Sequence, residues 1–200
     1  MLMDLLKLPC NIITDSGILN DDYEKIKKKI ITLKEKNDLI VISGGASVGH
    51  KDYVVEIIKK IGKIIFSSLA IKPGRPMSFG ILDNKVPILI LPGNPVASFV
   101  TFNLFGNFIL NCMHGLISKK PDFFLVKSNF NMMKKYGREE YLRGKLVRKK
   151  NELFVNKYFT EGAGILSSVV WSDGLIKLNA ETKQIKINDY LQFFPYSKIK

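Results

Sequence analysis

Three glycine-marked segments decide how this chain reads: Ser43-Gly44-Gly45-Ala46-Ser47-Val48-Gly49, Lys72-Pro73-Gly74-Arg75-Pro76 and Leu91-Pro92-Gly93-Asn94-Pro95. The first and third each follow an apolar, strand-like run, Leu39 to Ile42 and Val86 to Leu91. Glycine lets the backbone approach a ligand closely, and a loop entering a helix aims unpaired N–H groups and the positive end of the helix dipole at negative charge. The layout points to a phosphate or oxyanion pocket.

Outward from these segments, Asp21 to Lys36 carries Tyr23, Ile26, Ile30 and Leu33 at helical spacing, with Asn20-Asp21 as the cap. Asp38 to Ile42 reads as a buried strand. Asp52 can cap a helix whose inner face is Val54, Val55, Ile58 and Ile61 and which Gly62 stops. Lys63 to Ile71 is extended, and Met77 to Leu82 looks like a hairpin arm turning at Asp83-Asn84 before the strand Val86 to Leu91. Asn94 and Pro95 then stand as cap and first residue of a long apolar helix, Val96 to Leu110. Strands and helices thus alternate as far as Ile117, which predicts an α/β unit: a mostly parallel sheet with flanking helices. Ligands of such sheets sit outside the carboxyl ends of the strands, where the Ser43 and Pro92 loops fall.

After Lys119-Lys120-Pro121 the pattern changes. Phe123 to Asn129, Tyr141 to Lys149, Leu153 to Phe159, Gly174 to Leu178 and Tyr190 to Phe194 are short and β-rich, with glycine or charged turns between them. That predicts a small all-β, barrel-like domain. The expected domains are 1–120 and 121–200.

With 200 residues and 46% hydrophobic content the chain can bury a sizeable core. It contains no run of about 18 apolar residues, so no membrane span is expected, and its first ten residues lack the basic start and apolar core of a signal peptide. A cytoplasmic location is the expectation. Cys10, Cys112, His50 and His114 show no metal-ligand spacing, and both cysteines are read as buried thiols. The formal charge of +13 invites a nucleic-acid reading, but the lysines are spread over helix faces and hairpins without interleaved aromatics. A positive field draws in small anionic substrates.

In order and spacing, Ser-Gly-Gly-x-Ser-Val-Gly-x-x-Asp-Tyr, Lys-Pro-Gly-Arg-Pro-x-x-Phe-Gly and Leu-Pro-Gly-Asn-Pro-Val resemble molybdopterin molybdenumtransferase, the MoeA and gephyrin E-domain family. Glu140-Tyr141-Leu142-Arg143, Gly162-Ala163-Gly164 and Asp173-Gly174-Leu175 resemble that family's C-terminal β domain. The resemblance covers nearly the whole chain but only the C-terminal part of the family. It implies a molybdopterin-binding domain lacking its first strand, a homodimer in the full-length family, and a missing N-terminal half, which could act in trans. Because an absent inner strand leaves unpaired backbone and an apolar edge, the chain alone is expected to aggregate or associate.

The implied activity is insertion of molybdate into adenylylated molybdopterin with release of AMP, assisted by Mg²⁺. Asp52, beside the glycine loop, suits a metal ligand or water-positioning carboxylate as well as a helix cap. Lys72 and Arg75 would place two cations on one turn against molybdate or phosphate oxygens, and Asp52, Lys72 and Arg75 form the expected catalytic set. Gly44, Gly45, Ser47, Gly49, Pro92, Gly93 and Asn94 would hold the pterin phosphate with backbone and hydroxyl donors. Arg143 matches a family arginine that could bind molybdate. Arg75 replaces the family's usual lysine, and Ala163 removes a serine hydroxyl worth roughly 0.5 to 1.5 kcal/mol if it bonds the oxyanion. The alternatives are a noncatalytic molybdopterin- or nucleotide-binding remnant and a molybdopterin adenylyltransferase-like protein.

Overall fold

The computed structural model describes residues 1–45, 53–116, 122–160, 162 and 164–196. In chain order, α1 is Leu2–Leu6, α2 Tyr23–Lys34, β1 Ile40–Ser43, α3 Tyr53–Ile61, β2 Gly62–Phe66, β3 Ile71–Lys72, β4 Ser78–Leu82 and β5 Val86–Leu91. One continuous helix follows, made of α4 Pro95–Thr101, a π-helical turn Phe102–Gly106 and α5 Asn107–Met113. Then come β6 Phe124–Ser128, β7 Met132–Met133, β8 Glu139–Lys149, β9 Glu152–Lys157, α6 Ser167–Trp171, β10 Gly174–Leu178, β11 Gln184–Ile185 and β12 Tyr190–Pro195. These elements form two compact units. Met1–Leu69 with Pro76–Asn94 is the first, and Ala70–Arg75 with Pro95–Lys200 the second.

In the first unit, the Asp22 carboxylate caps α2 by accepting from the Lys25 N–H at 3.0 Å. Ile26 and Ile30 then face the core. The four-stranded sheet runs β1-β5-β4-β2. Only β1 and β5 are parallel; β4 is antiparallel to both β5 and β2. The sheet is therefore mixed, which corrects the expectation of a mostly parallel one. The reason lies in Asp83 and Asn84, whose φ values of 46° and 56° make a tight left-handed turn that sends β5 straight back along β4. An α/β pattern counts crossover connections, and here a hairpin with the three-residue loop Asp83 to Lys85 replaces one. Ile40, Ile57, Ile58, Leu82, Ile88 and Ile90 join α2 and α3 to the sheet in one apolar cluster.

The second unit closes a five-stranded barrel, β10-β12-β6-β9-β8, with β8 pairing back onto β10. The eleven-residue β8 serves both neighbours: Glu140 to Gly144 pair with β10, and Gly144 to Lys149 with β9. Gly144 is the shared residue, and a Cβ there would lie 2.7 Å from Ile176 Cγ1 and 2.9 Å from Val155 Cγ2. The missing side chain lets the strand bend while both neighbours close in. Val126, Leu142, Val155, Ile176 and Phe193 fill the barrel.

The helix Pro95–Met113 runs longer than the apolar stretch that announces it. It spans 19 residues at mean hydropathy 1.4, enough to cross a membrane by length and composition, and half of it is buried in the fold. Val96, Ala97, Val100 and Phe102 are among its buried residues, as in the core helix of a folded domain. Cys10 and Cys112 are both exposed, against the expectation of buried thiols. Cys10 lies beyond α1 where the chain has no regular structure, and Cys112 lies on an outward position of α5.

Ile88 is fully buried in the central strand of the first unit's sheet. Ile88→Ala is expected to cost about 2 to 5 kcal/mol, the usual penalty for a buried cavity. A urea titration checks it, with a lowered midpoint at unchanged slope.

Candidate functional site

The site is assembled on β8. The two-residue β3 lies parallel to its first turn of strand, in the register Ile71 to Glu139 and Lys72 to Glu140. The Glu139 N–H donates to the Ala70 carbonyl at 3.0 Å. The Lys72–Pro73 peptide is cis, and Gly74 follows at φ +118°. A Cβ on Gly74 would fall 2.3 Å from Thr101 Cγ2 of α4, so only glycine lets this turn rest against the helix.

This docking brings Lys72 to a buried carboxylate. Its Nζ donates to Glu140 Oε2 at 3.3 Å, and Glu140 is only 5% exposed. Three residues along β8, Arg143 is 6% exposed. Its Nε donates to Ser168 Oγ at 3.1 Å and its Nη2 to the Gly162 carbonyl at 3.2 Å. Ser168 is itself fixed, donating to the Ile165 carbonyl at 2.6 Å. Tyr158 is tied to α6 through its hydroxyl, 3.0 Å from Ser167 Oγ.

Lys72, Glu140, Arg143, Lys157, Tyr158 and Gly162 border one cleft of about 80 Å³, room for a few waters or one small oxyanion. Among the described residues its wall carries three cationic side chains and one carboxylate. The guanidinium is a planar fork suited to two oxygens at once, while the ammonium acts as a point charge. With Arg143 withdrawn from water, its attraction for an anion is screened far less than on the surface.

The expected site residues divide between the two units. Lys72 and Arg143 share the cleft of the second. Arg75 is exposed and does not border it. In the first unit, Gly44 and Gly45 have φ values of 92° and 75°, and the Gly44 N–H donates to the Leu91 carbonyl at 3.1 Å. A Cβ on Gly93 would stand 3.4 Å from Gly44 Cα, so the carboxyl ends of the parallel pair β1 and β5 bring the two loops together. Pro92 is buried and Asn94 half-buried. Ser47, Gly49, Asp52 and Ala163, and the expected boundary at Pro121, lie outside the described residues. Lys72 stands on β3, which pairs with the barrel strand β8. Among the described residues no group of three or more His, Cys, Asp or Glu side chains gathers.

Sequence reasoning missed Glu140, Lys157, Ser168 and the Gly162 carbonyl as parts of the site. The signal for Glu140 was the Glu140-Tyr141-Leu142-Arg143 run, quoted for its arginine. Lys157 and Gly162 reach the cleft only through the folding of the barrel, and Ser168 takes part only by holding Arg143.

Comparison with known proteins fixes the lineage. Residues 1–111 match the family model of a probable molybdopterin binding domain, and residues 126–195 match the MoeA C-terminal region, domain IV. The chain belongs to the MoeA and gephyrin family. It is 32% identical over 197 residues to the molybdopterin molybdenumtransferase of Haemophilus influenzae, covering 98% of this chain and 48% of that protein. Against the molybdenum cofactor synthesis protein cinnamon of Drosophila melanogaster, identity is 30% over 187 residues, 92% of this chain and 31% of that protein. A crystal structure of a molybdopterin biosynthesis MoeA protein from Pyrococcus horikoshii shares the fold at TM-score 0.70 and 22% identity, over 88% of this chain and 42% of that one. The MoeA-type chain described here spans less than half the length of these relatives.

The charge of Arg143 reaches Tyr196, whose phenol is pushed up to about 12. Burial is the main cause; the Ser172 hydrogen bond and Arg143 oppose it, and Asp173 adds to it. The unfolded chain loses this proton near pH 10 and the folded chain only near 12, so Tyr196 contributes stability below pH 10 that is lost as pH rises toward 12. Tyr196→Phe is expected to flatten the alkaline loss of stability, measured by denaturant titrations from pH 8 upward.

Proposed function

We propose that this chain works in molybdenum cofactor biosynthesis, inserting molybdate into adenylylated molybdopterin with release of AMP, together with an N-terminal half supplied by the rest of the protein or in trans. The observation that carries the reading is the barrel cleft where Lys72 and the buried, hydrogen-bonded Arg143 border one space. In this reading Lys72 and Arg143 hold the oxygens of molybdate, and Arg75 draws the anion toward the turn. Gly44, Gly45, Ser47, Gly49, Pro92, Gly93 and Asn94 hold the phosphate of the pterin substrate on backbone donors, the two positive-φ glycines giving it close approach. Residues 1–120 act as the molybdopterin-binding domain and 121–200 as the C-terminal β domain. A homodimeric assembly and a cytoplasmic setting accompany the proposal.

Mg²⁺ enters through Asp52, the carboxylate beside the glycine loop. One carboxylate completed by substrate phosphates is a set that Mg²⁺ accepts, since it keeps most of its shell as water and phosphate oxygen. When bound, the ion neutralises phosphate charge. The protein's own part is to bind the two anions, orient them and exclude water.

Equilibrium dialysis of molybdate against the 200-residue chain tests the cleft. Arg143→Ala removes charge-assisted hydrogen bonds worth about 1.5 to 3 kcal/mol, so affinity should fall at least roughly tenfold. Equal affinity in wild type and variant contradicts the assignment. Molybdate-dependent AMP release, on mixing with the N-terminal half of a relative, tests the reaction.

A further inference from the structure

Glu140 is buried, charged and outside the roles described above. Its neighbour Glu139 turns to different partners, Lys177 Nζ at 2.7 Å and the Tyr141 hydroxyl at 3.1 Å. Two adjacent carboxylates are thus divided, and of the two it is Glu140 that pairs with Lys72. A carboxylate at this depth needs a charged or hydrogen-bonded partner. The Lys72 side chain is 46% exposed and is a flexible four-carbon stem, whose rotamers an ion pair restricts. Strand register supports the pairing, since Lys72 lies directly beside Glu140.

We propose that Glu140 is a positioning residue, holding the Lys72 ammonium at the cleft bordered by Arg143 so that both cations stand ready for a doubly charged tetrahedral oxyanion. A free lysine would pay its ordering cost when the anion binds; this one is ordered beforehand. The same carboxylate lowers the net charge of the empty cleft and so lessens the repulsion among its cations. The positioning of Lys72 stands on geometry alone, and its use for an oxyanion rests on the molybdate reading.

The test acylates the lysines of the full chain with a succinimidyl ester and follows Lys72 by mass spectrometry. Glu140→Gln, which keeps shape and removes charge, should raise the Lys72 rate about threefold, as expected from losing a partly exposed ion pair. Glu139→Gln should leave it unchanged. An unchanged rate in Glu140→Gln, or an equal rise in Glu139→Gln, overturns the proposal. If Glu140→Gln does not fold, the double variant Lys72→Gln/Glu140→Gln decides: recovery of the fold supports the pairing, and failure assigns Glu140 to the barrel instead. In a separate arm, molybdate is added to wild type, with sulfate as control. Protection of Lys72 that Glu140→Gln loses supports the anion half. Protection retained by Glu140→Gln overturns that half, and absence of protection in wild type sinks the molybdate reading while leaving the Glu140 to Lys72 result intact.

Discussion

Two buried, opposite charges within four residues of one strand, Glu140 and Arg143, set the terms for the second unit. Neither can be left without partners at this depth, and their needs account for much of the local architecture. Glu140 recruits Lys72 and, with the backbone bond from Glu139 to Ala70, ties the short strand β3 to the barrel. Arg143 gathers the Gly162 carbonyl and Ser168, which anchors α6 beside the strand. The cleft is what remains between these two sets of contacts.

Small residues make this arrangement possible. Gly74 lets the Lys72 turn touch Thr101, and Gly144 lets β8 bend between two neighbours. Gly106 does the same within the long helix, where a Cβ would stand 2.5 Å from the ring of Phe102 at the π-helical turn. Such turns often mark functional regions. Here it directly follows Thr101, the residue on which Gly74 rests, so the helix irregularity and the site-bearing loop share one contact.

Local order was legible in the sequence wherever one segment carried its own instruction. The strand Val86–Leu91 was readable from its apolar run, α2 from the spacing of Ile26 and Ile30, and the hairpin from Asp83-Asn84. That same hairpin already contradicted a mostly parallel sheet, and the error lay in weighing alternation above the turn. The short strands β3, β7 and β11 and the helix α6 left little trace because two to five residues carry no period. The candidate site was half legible. Glycine loops and isolated cations announce anion chemistry, and Arg143 was found through its motif. The partner of Lys72 lies 68 positions away, and no local pattern encodes a pairing that only barrel closure and β3 docking create.

In the proposed reading the oxyanion binds in the barrel cleft. Anomalous diffraction at the molybdenum edge, from crystals of the chain grown with molybdate, tests it most directly. The expected result is one molybdenum peak within hydrogen-bonding reach of both Lys72 Nζ and the Arg143 guanidinium. A peak at the Gly44 and Gly93 loops with the barrel cleft empty would contradict it.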